Sequence, residues 1–564
     1  MSDPEEIYDL KSVKLPYLSG RPLKAFASFL ESSAGGVATS NLLNSAGITW
    51  LRRQQFDEPP TFTPLAPRGD QPAATSGIPT AEHPQSDPAS TPGFHFPTVL
   101  DFATAYREGK TTPTAVAERI LAAIQASDKA DPPLRAFIAV DEAEVMRQAE
   151  EATVRFREKR PLSLFDGVPV AVKDELDMVP YPTTVGTSFL GNKPATQDAT
   201  VVARLRAAGA LLIGKTNMHE IGIGVTGQNP HHGTPRNPYQ PGHYTGGSSS
   251  GSATAVAAGL CPVAIGADGG GSIRIPAAFC GVVGLKPTFG RVSEMGAFQL
   301  DWSVAHIGPL AATATDAALA YALMAGPDAH DPISQQQPAP TLQSWNNLDL
   351  SDLTLGVFWP WFRHATSDVV AACEALLNQF AEQGAVIREI TIPDLEAGRV
   401  AHTLTIASEM MQAMSATYGQ HRQDHALDTR INLALARRFL ATDYVLAQRV
   451  RTRLIHNFNQ ALTEVDVIIT PATGLPAPLI PATALPDGDS DLTTLAEIMR
   501  YATPANFTGH PAISFPAGYN EAGLPIGLQA MGRHWQEPTL LRLALAAEQI
   551  IPRQKPQIFF DLGI

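Results

Sequence analysis

Tyr244-Thr245-Gly246-Gly247-Ser248-Ser249-Ser250-Gly251-Ser252-Ala253, followed by Gly266-Ala267-Asp268-Gly269-Gly270-Gly271-Ser272-Ile273-Arg274-Ile275-Pro276, is the stretch on which the reading of this chain turns. Eight glycines fall from Gly246 to Gly271, with Ser248, Ser249, Ser250, Ser252 and Ser272 among or just after them. A solvated linker has such a composition. Here, however, Ile273, Ile275, Ala277, Ala278 and Phe279 follow at once, and Ala253 to Ala258 form a helix of small residues between the two loops. The loops are therefore set inside a packed core. Successive glycines let backbone approach a ligand closely and turn its N–H groups inward. Amides presented in this way before a serine are what a tetrahedral oxyanion requires.

Outward from the loops, strands alternate with helices. Val168-Pro169-Val170-Ala171-Val172-Lys173 is a short strand with its valines on one face. Val201 to Ala208 is helical, Gly209 stops it, and Ala210 to Ile213 reads as a buried strand. Thr112-Pro113 starts another helix, with Val116, Ile120 and Ile124 as its buried stripe. Leu353 to Phe358, a helix over Ala371 to Phe380, and Val386 to Ile392 repeat the plan, and Val465 to Ile469 adds a further strand. The pattern predicts an α/β fold with a mostly parallel or mixed sheet covered on both faces. No fixed-period repeat points to a solenoid or propeller.

Two motifs mislead. Gly209-Ala210-Leu211-Leu212-Ile213-Gly214-Lys215-Thr216 matches the letters of a phosphate loop. A phosphate loop needs a strand before its first glycine and exposed amides after it, whereas this glycine ends a helix and the apolar residues after it are the strand. Gly247-Ser248-Ser249-Ser250-Gly251 matches a nucleophile elbow but lacks the strand that must lead into it. His219, His231, His232 and His243 show no metal-ligand spacing and read as loop histidines near the surface.

The chain has 564 residues, 44% apolar and 17% charged, enough to bury a sizeable core. Its 41 Lys and Arg against 55 Asp and Glu leave a net charge of −14, which argues against a general nucleic-acid binder. Three cysteines, Cys261, Cys280 and Cys373, exclude a disulfide framework and fit a reducing compartment. No run of about 18 apolar residues offers a membrane span, and the acidic start Met1-Ser2-Asp3-Pro4-Glu5-Glu6 lacks the apolar core of a secretory signal. The expected location is cytoplasmic, with peripheral membrane contact left open.

Ten prolines from Pro59 to Pro97 mark 59–97 as an extended Pro-rich linker. It divides an N-terminal helical extension, 1–58, from a catalytic domain, 98–564. In the extension Leu23, Phe26, Phe29 and Leu30 recur at helical spacing, and Ile48, Trp50 and Leu51 stand beside Arg52 and Arg53. Such stripes either dock on the main body or face a membrane surface or substrate entrance.

Taken together, Gly246-Gly247-Ser248-Ser249, Gly270-Gly271-Ser272-Ile273-Arg274-Ile275-Pro276-Ala277-Ala278-Phe279-Cys280-Gly281 and Gly284-Leu285-Lys286-Pro287-Thr288 resemble the amidase signature. The likeness runs in one order from about Thr98 to Ile551. It takes in the block from Asp166 to Asp174, Asn506-Phe507-Thr508-Gly509-His510-Pro511-Ala512-Ile513, and Gly523-Leu524-Pro525-Ile526-Gly527-Leu528-Gln529. Within that family the chain is most similar to plant-type fatty acid amide hydrolases. The residues concerned are Asn217-Met218-His219-Glu220, the serine at 250, the third glycine before Ser272, and Leu15-Pro16-Tyr17-Leu18-Ser19-Gly20. The resemblance implies an amidase signature fold, a large twisted mixed β-sheet covered by helices on both faces. It also implies hydrolysis of acyl amides, of fatty acid amide or N-acylethanolamine type, through an acyl-enzyme.

The same resemblance implies a Ser–Ser–Lys triad, with Ser272 as nucleophile, Ser248 as bridge and Lys173 as base. The family's 24-residue interval between the serines selects Ser248 over Ser249 and Ser250. A serine hydroxyl is a weak nucleophile until a base takes its proton, and only a neutral lysine can take it. Lys215 and Lys286 do not match the family's lysine block and read as structural. By the same likeness the Gly247–Ser248 peptide is cis, and the amides of Gly269, Gly270, Gly271 and Ser272 form the oxyanion hole. Gly222 and Ile223 line the substrate channel, and Asp268, Arg274 and Ser249 support the site. Neither cofactor nor metal is implied. The expected partner is a small acyl amide, nucleic acid is not expected, and a homodimer is compatible with the reading. Other readings are a short-chain, aryl or peptide amidase of the same family, a transamidosome-type amidase that works with a partner subunit, and a non-catalytic binder on this fold.

Overall fold

Apolar strands that are buried on both sides need cover on both faces of their sheet. The computed structural model, which describes residues 4–32, 35–67 and 91–564, packs helices against a main sheet of eleven strands. In chain order these are β1 (Phe137–Ala139), β2 (Pro169–Lys173), β3 (Leu211–Thr216), β4 (Val263–Ala267), β5 (Val283–Lys286), β6 (Ile307–Ala311), β7 (Thr354–Val357), β8 (Val386–Glu389), β9 (Val467–Pro471), β10 (Ala512–Tyr519) and β11 (Pro525–Gly532). Across the sheet they run β1-β3-β2-β4-β6-β5-β10-β11-β9-β7-β8. β3, β2 and β4 are mutually parallel, as are β9, β7 and β8, and the strands between these blocks pair antiparallel. The sheet is mixed, as expected.

β2, β3 and β4 are buried at every position. β3 extends past the expected Ile213 because Lys215 and Thr216 find interior partners: Lys215 Nζ donates to Leu176 O at 2.6 Å, and Thr216 Oγ1 lies 2.7 Å from Ser252 Oγ. The letters of the phosphate loop are thus a strand interior, preceded by Gly209 with φ +88° at the end of helix Thr200–Ala207.

Seven helices matter for the site: α1 (Gly20–Glu31), α2 (Ser250–Ala257), α3 (Arg274–Phe279), α4 (Leu395–His421), α5 (Leu427–Ala436), α6 (Ala441–Glu464) and α7 (Thr503–Thr508). α2 and α3 are buried along their whole length. α2 manages this because its side chains are small enough to lie against β4.

The extension docks on the body. Leu23, Ala27 and Leu30 form one stripe of α1 and pack on Ile431 and Ala434 of α5. Ile48 and Leu51 are buried in the cluster that contains Val400 and Leu404 of α4. Glu31 accepts both Arg430 Nε at 3.0 Å and Nη2 at 2.7 Å, and Arg52 makes the same fork on Asp443 at 2.8 and 2.7 Å. The reading of this stripe as a membrane face is therefore corrected for Leu23, Leu30, Ile48 and Leu51, whose side chains point inward. Phe29 lies off the 23–27–30 line and is 43% exposed. The first described part of 59–67 also lies on the body: Thr61 N donates to Gln448 O at 3.0 Å, and Arg451 Nη1 to Phe62 O at 2.8 Å. Of the expected linker, 68–90 falls outside the described residues, while 91–97 lies on the body, with Phe94 N donating to Arg553 O at 2.7 Å.

Candidate active site

Three pieces of chain meet at the C-terminal ends of β2 and β4. β2 ends on Lys173, the loop before α2 carries Ser248 and Ser249, and the loop between β4 and α3 carries Asp268 to Ser272. Lys173 Nζ donates to Ser248 Oγ at 2.8 Å and to Ala267 O at 3.2 Å. Ser249 Oγ donates to Ala267 O at 3.1 Å, and Ser249 N donates to Ser272 O at 3.2 Å, so the two serine loops lie side by side. The Gly247–Ser248 peptide is cis. Lys173, Ser248 and Ser272 are all buried.

The second loop is shaped by a buried carboxylate. Asp268 Oδ1 accepts Gly271 N at 2.6 Å and Oδ2 accepts Ile273 N at 3.1 Å, which folds the chain tightly around Ser272. Arg274 forks the same carboxylate at 3.0 and 3.1 Å and extends to Gln529 Oε1 and Asn506 Oδ1, each at 2.5 Å. Asn506, on α7, donates back to Asp268 O at 2.6 Å. Burial alone would raise the Asp268 carboxyl, but Arg274, Lys286 and Asn506 hold it well below the usual carboxylate range. A charge this deeply buried stands only because every oxygen is engaged.

This geometry corrects one part of the expected oxyanion hole. The Gly271 N–H is turned to Asp268 and is committed there. The amides of Gly269, Gly270 and Ser272 have no acceptor among the described residues. Glycine is required at two of these positions for different reasons. A Cβ at Gly269 would lie 1.8 Å from Asp301 Oδ2. Gly271 adopts φ +116°, which disfavours any side chain.

Two groups from outside the motifs press on this loop. His402 of α4 lies 2.8 Å from Gly269 O, and since a carbonyl only accepts, its Nε2 carries the proton. Burial pulls this imidazole down to about 4, so it is neutral at pH 7. Asp301 faces Gly269 from the other side, and burial with the nearby charges of Glu175 and Glu409 pushes its carboxyl well up.

Gly222 lies beside Ser248. A Cβ there would be 3.5 Å from Ser248 Oγ, 3.6 Å from Leu300 Cδ1 and 3.8 Å from Met410 Cε. Leu300 and Met410 belong to an apolar cluster with Val185, Ile221, Met414 and Leu433, against which Ile223 packs. Val185 and Ile221 are buried β-branched residues at φ +48° and +42°, joined by an Ile221 N to Val185 O hydrogen bond of 2.9 Å. Such backbone is strained, and strain of this kind gathers at functional sites.

The remaining candidates separate cleanly. Lys215 bonds to Leu176 O, and Lys286 donates to His510 O at 2.7 Å; neither is bonded to a serine. His219 is buried rather than near the surface, and its Nε2 lies 2.9 Å from Asp428 Oδ2. Sequence reasoning missed Glu175, His402, Asp301 and Asn506 as site residues. Glu175 stands in the run Lys173-Asp174-Glu175 and Asn506 opens one of the signature blocks, whereas His402 and Asp301 lie in neither. Glu175 Oε2 lies 2.7 Å from Lys173 Nζ.

The family model described as Amidase matches residues 118–541. A fatty acid amide hydrolase of Arabidopsis thaliana is 40% identical over 98% of this chain and 96% of its own length. A glutamyl-tRNA(Gln) amidotransferase subunit of Koribacter versatilis is 34% identical over 79% of this chain and 97% of its own. The solved peptide amidase of Stenotrophomonas maltophilia superposes with a TM-score of 0.71 at 28% identity, covering 86% of this chain and all of that one.

Proposed function

The chain belongs to the amidase family and is an amide hydrolase, and from this premise we propose that it cleaves long-chain acyl amides to a carboxylic acid and an amine. The observation that carries the substrate reading is the position of Gly222, whose bare face borders both Ser248 Oγ and the side chains of Leu300 and Met410. An apolar wall next to the bridging hydroxyl favours an acyl chain, since each methylene buried contributes about 0.8 kcal/mol. The match to the Arabidopsis fatty acid amide hydrolase also spans nearly the whole chain, whereas that to the Koribacter amidotransferase covers 79% of it. Among the described residues no helix is long and apolar enough to cross a membrane.

In the proposed mechanism Ser272 is the nucleophile, Ser248 the bridge and Lys173 the base. Neutral Lys173 takes the proton of Ser248 along their 2.8 Å contact while Ser248 takes that of Ser272. Ser272 Oγ attacks the amide carbon, and the oxygen that gains charge faces the uncommitted amides of Gly269, Gly270 and Ser272. Ser248 then returns a proton to the leaving nitrogen, and water cleaves the acyl-serine through the same relay.

A panel of N-acylethanolamines, short aliphatic amides and peptide amides tests the substrate. Rates that rise with acyl length are expected, and activity confined to short or peptide amides overturns the long-chain reading. Ser272→Ala is expected to abolish labelling by a fluorophosphonate probe, and labelling lost in Ser249→Ala instead would move the nucleophile.

A further inference from the structure

Lys173 can serve as a base only after its ammonium proton has left, and the site around it is buried. The Nζ lies 3.2 Å from Ala267 O, 2.8 Å from Ser248 Oγ and 2.7 Å from Glu175 Oε2. Of the three contacts the carboxylate is the most basic oxygen. We propose that Glu175 is a positioning residue that acts through Lys173, receiving the ammonium proton across their contact and so freeing the lysine to serve as base.

The step balances without any further reagent. The Nζ–H bond breaks, an Oε2–H bond forms, and the ion pair becomes a neutral amine beside a neutral carboxylic acid. The freed lone pair on Nζ then accepts the Ser248 proton. When that proton is returned to the leaving amine the pair is ready for the next half-reaction. Its total charge is zero in both forms, so the interchange moves no net charge through a low-dielectric interior. Burial disfavours both charges of the ionic form.

Further carboxylates surround the pair. Glu175 lines one small cavity with Glu294 and Asp301. Glu294 and Asp301 are both pushed well above the usual carboxylate range, first by burial and then by neighbouring carboxylates that include Glu175. Glu409 of α4 adds a further carboxylate, held by Ser303 N at 3.0 Å and Tyr444 OH at 2.8 Å. The positive groups nearby are Lys173 itself and Arg451 of α6, whose Nη2 bonds to Ser303 Oγ at 3.0 Å. Acidic groups are crowded around this cavity. Position is fixed as well, because Glu175 O accepts Phe298 N at 2.8 Å, which ties the relay to the segment carrying Asp301.

This inference rests on the lysine–serine reading, and the experiment separates the two. kcat, KM, the pH profile of kcat/KM and the melting temperature are measured on one acyl amide for the wild type, Glu175→Gln, Glu175→Asp, Lys173→Ala and Ser272→Ala. Glutamine keeps the shape and the hydrogen bond to Nζ but cannot take the proton. It is expected to lower kcat by about 10²-fold, the size of a general acid–base contribution, with KM and melting temperature near wild type. In the wild type the acid limb belongs to the pair; in Glu175→Gln it belongs to the lysine alone and moves to higher pH. Glu175→Asp, with its carboxyl withdrawn by one methylene, is expected to fall between the two, and it serves as the readout if the glutamine variant does not fold. Wild-type kcat and an unmoved acid limb in the folded variants overturn the proposal, leaving Glu175 a structural counterion. Activity that survives Lys173→Ala or Ser272→Ala breaks the underlying mechanism instead.

Discussion

The serine loops and the N-terminal extension are held by opposite means. At the loops, the backbone is fixed from within: Asp268, Arg274, Asn506 and Gln529 form one closed polar network with no exposure, and α2 and α3 are buried on every side. The extension is held along one face. Leu23, Ala27 and Leu30 meet α5 while Phe29 points outward, and the extension's polar attachments include forks at Glu31–Arg430 and Arg52–Asp443. An error in the first region has nowhere to relax, because dense interiors transmit strain. In the second, part of each contact can be replaced by water. Severity of mutation should therefore follow the closure of the contact rather than the number of residues involved.

The largest effect is expected inside the network. Arg274→Met leaves the Asp268 carboxylate buried without its partner, which typically costs about 3–5 kcal/mol. Denaturant unfolding should show that loss, and a change no greater than that of a surface substitution would break the contrast between the regions.

Next comes Gly269→Ala. Its Cβ would fall 1.8 Å from Asp301 Oδ2, so the loop must shift. A displacement of this kind at positioned groups costs on the order of 10²-fold in rate. Steady-state kinetics should find kcat reduced much more than KM is raised.

A more graded loss is expected when residues 1–58 are removed. The deletion uncovers Ile431 and Ala434 on α5, and the intervening helix position Leu433 belongs to the apolar cluster that holds Met410. KM should rise with acyl length while turnover of a short amide changes little. Equal losses on short and long substrates would mean that the extension only stabilises the fold.

The smallest effect concerns pH at the seam between the regions, where Ser19 pairs with Asp489 across two short strands. Burial, with Asp428 and Asp491 nearby, pushes the Asp489 carboxyl from 3.8 up to about 6. The folded chain thus binds this proton more tightly than the unfolded chain. The stabilisation is complete below about pH 4 and is lost as pH rises through 6. Asp489→Asn should flatten that decline in melting temperature between pH 4 and 7, and an unchanged slope would remove Asp489 from the seam's pH response.

Much of the fold is legible locally. The strand ending at Lys173, the stop at Gly209 and the small-residue helix after Ser249 each follow from a periodicity or a single punctuating residue. The continuation of β3 through Lys215 is not, because its buried lysine finds partners on another segment. At the site, the glycine–serine pattern announces amides before a serine, and the family resemblance names Ser248, Ser272 and Lys173. Neither indicates that the Gly271 amide is committed to Asp268, because that depends on the loop's closed turn. His402 and Asp301 carry no signal, since each reaches the loop from a distant part of the chain.

By itself the sequence determined the alternation of strands and helices, the place of two glycine–serine loops within a core, and the helical stripe of the extension. These rest on spacing and residue type along a few neighbouring positions, which the chain carries before it folds. Only the tertiary structure decided which face of that stripe was covered, which amides stayed uncommitted, and which acid came within 2.7 Å of Lys173. Those outcomes depend on what lies across a contact. A partner remote in the chain, or a turn that redirects one N–H, leaves no periodicity to read.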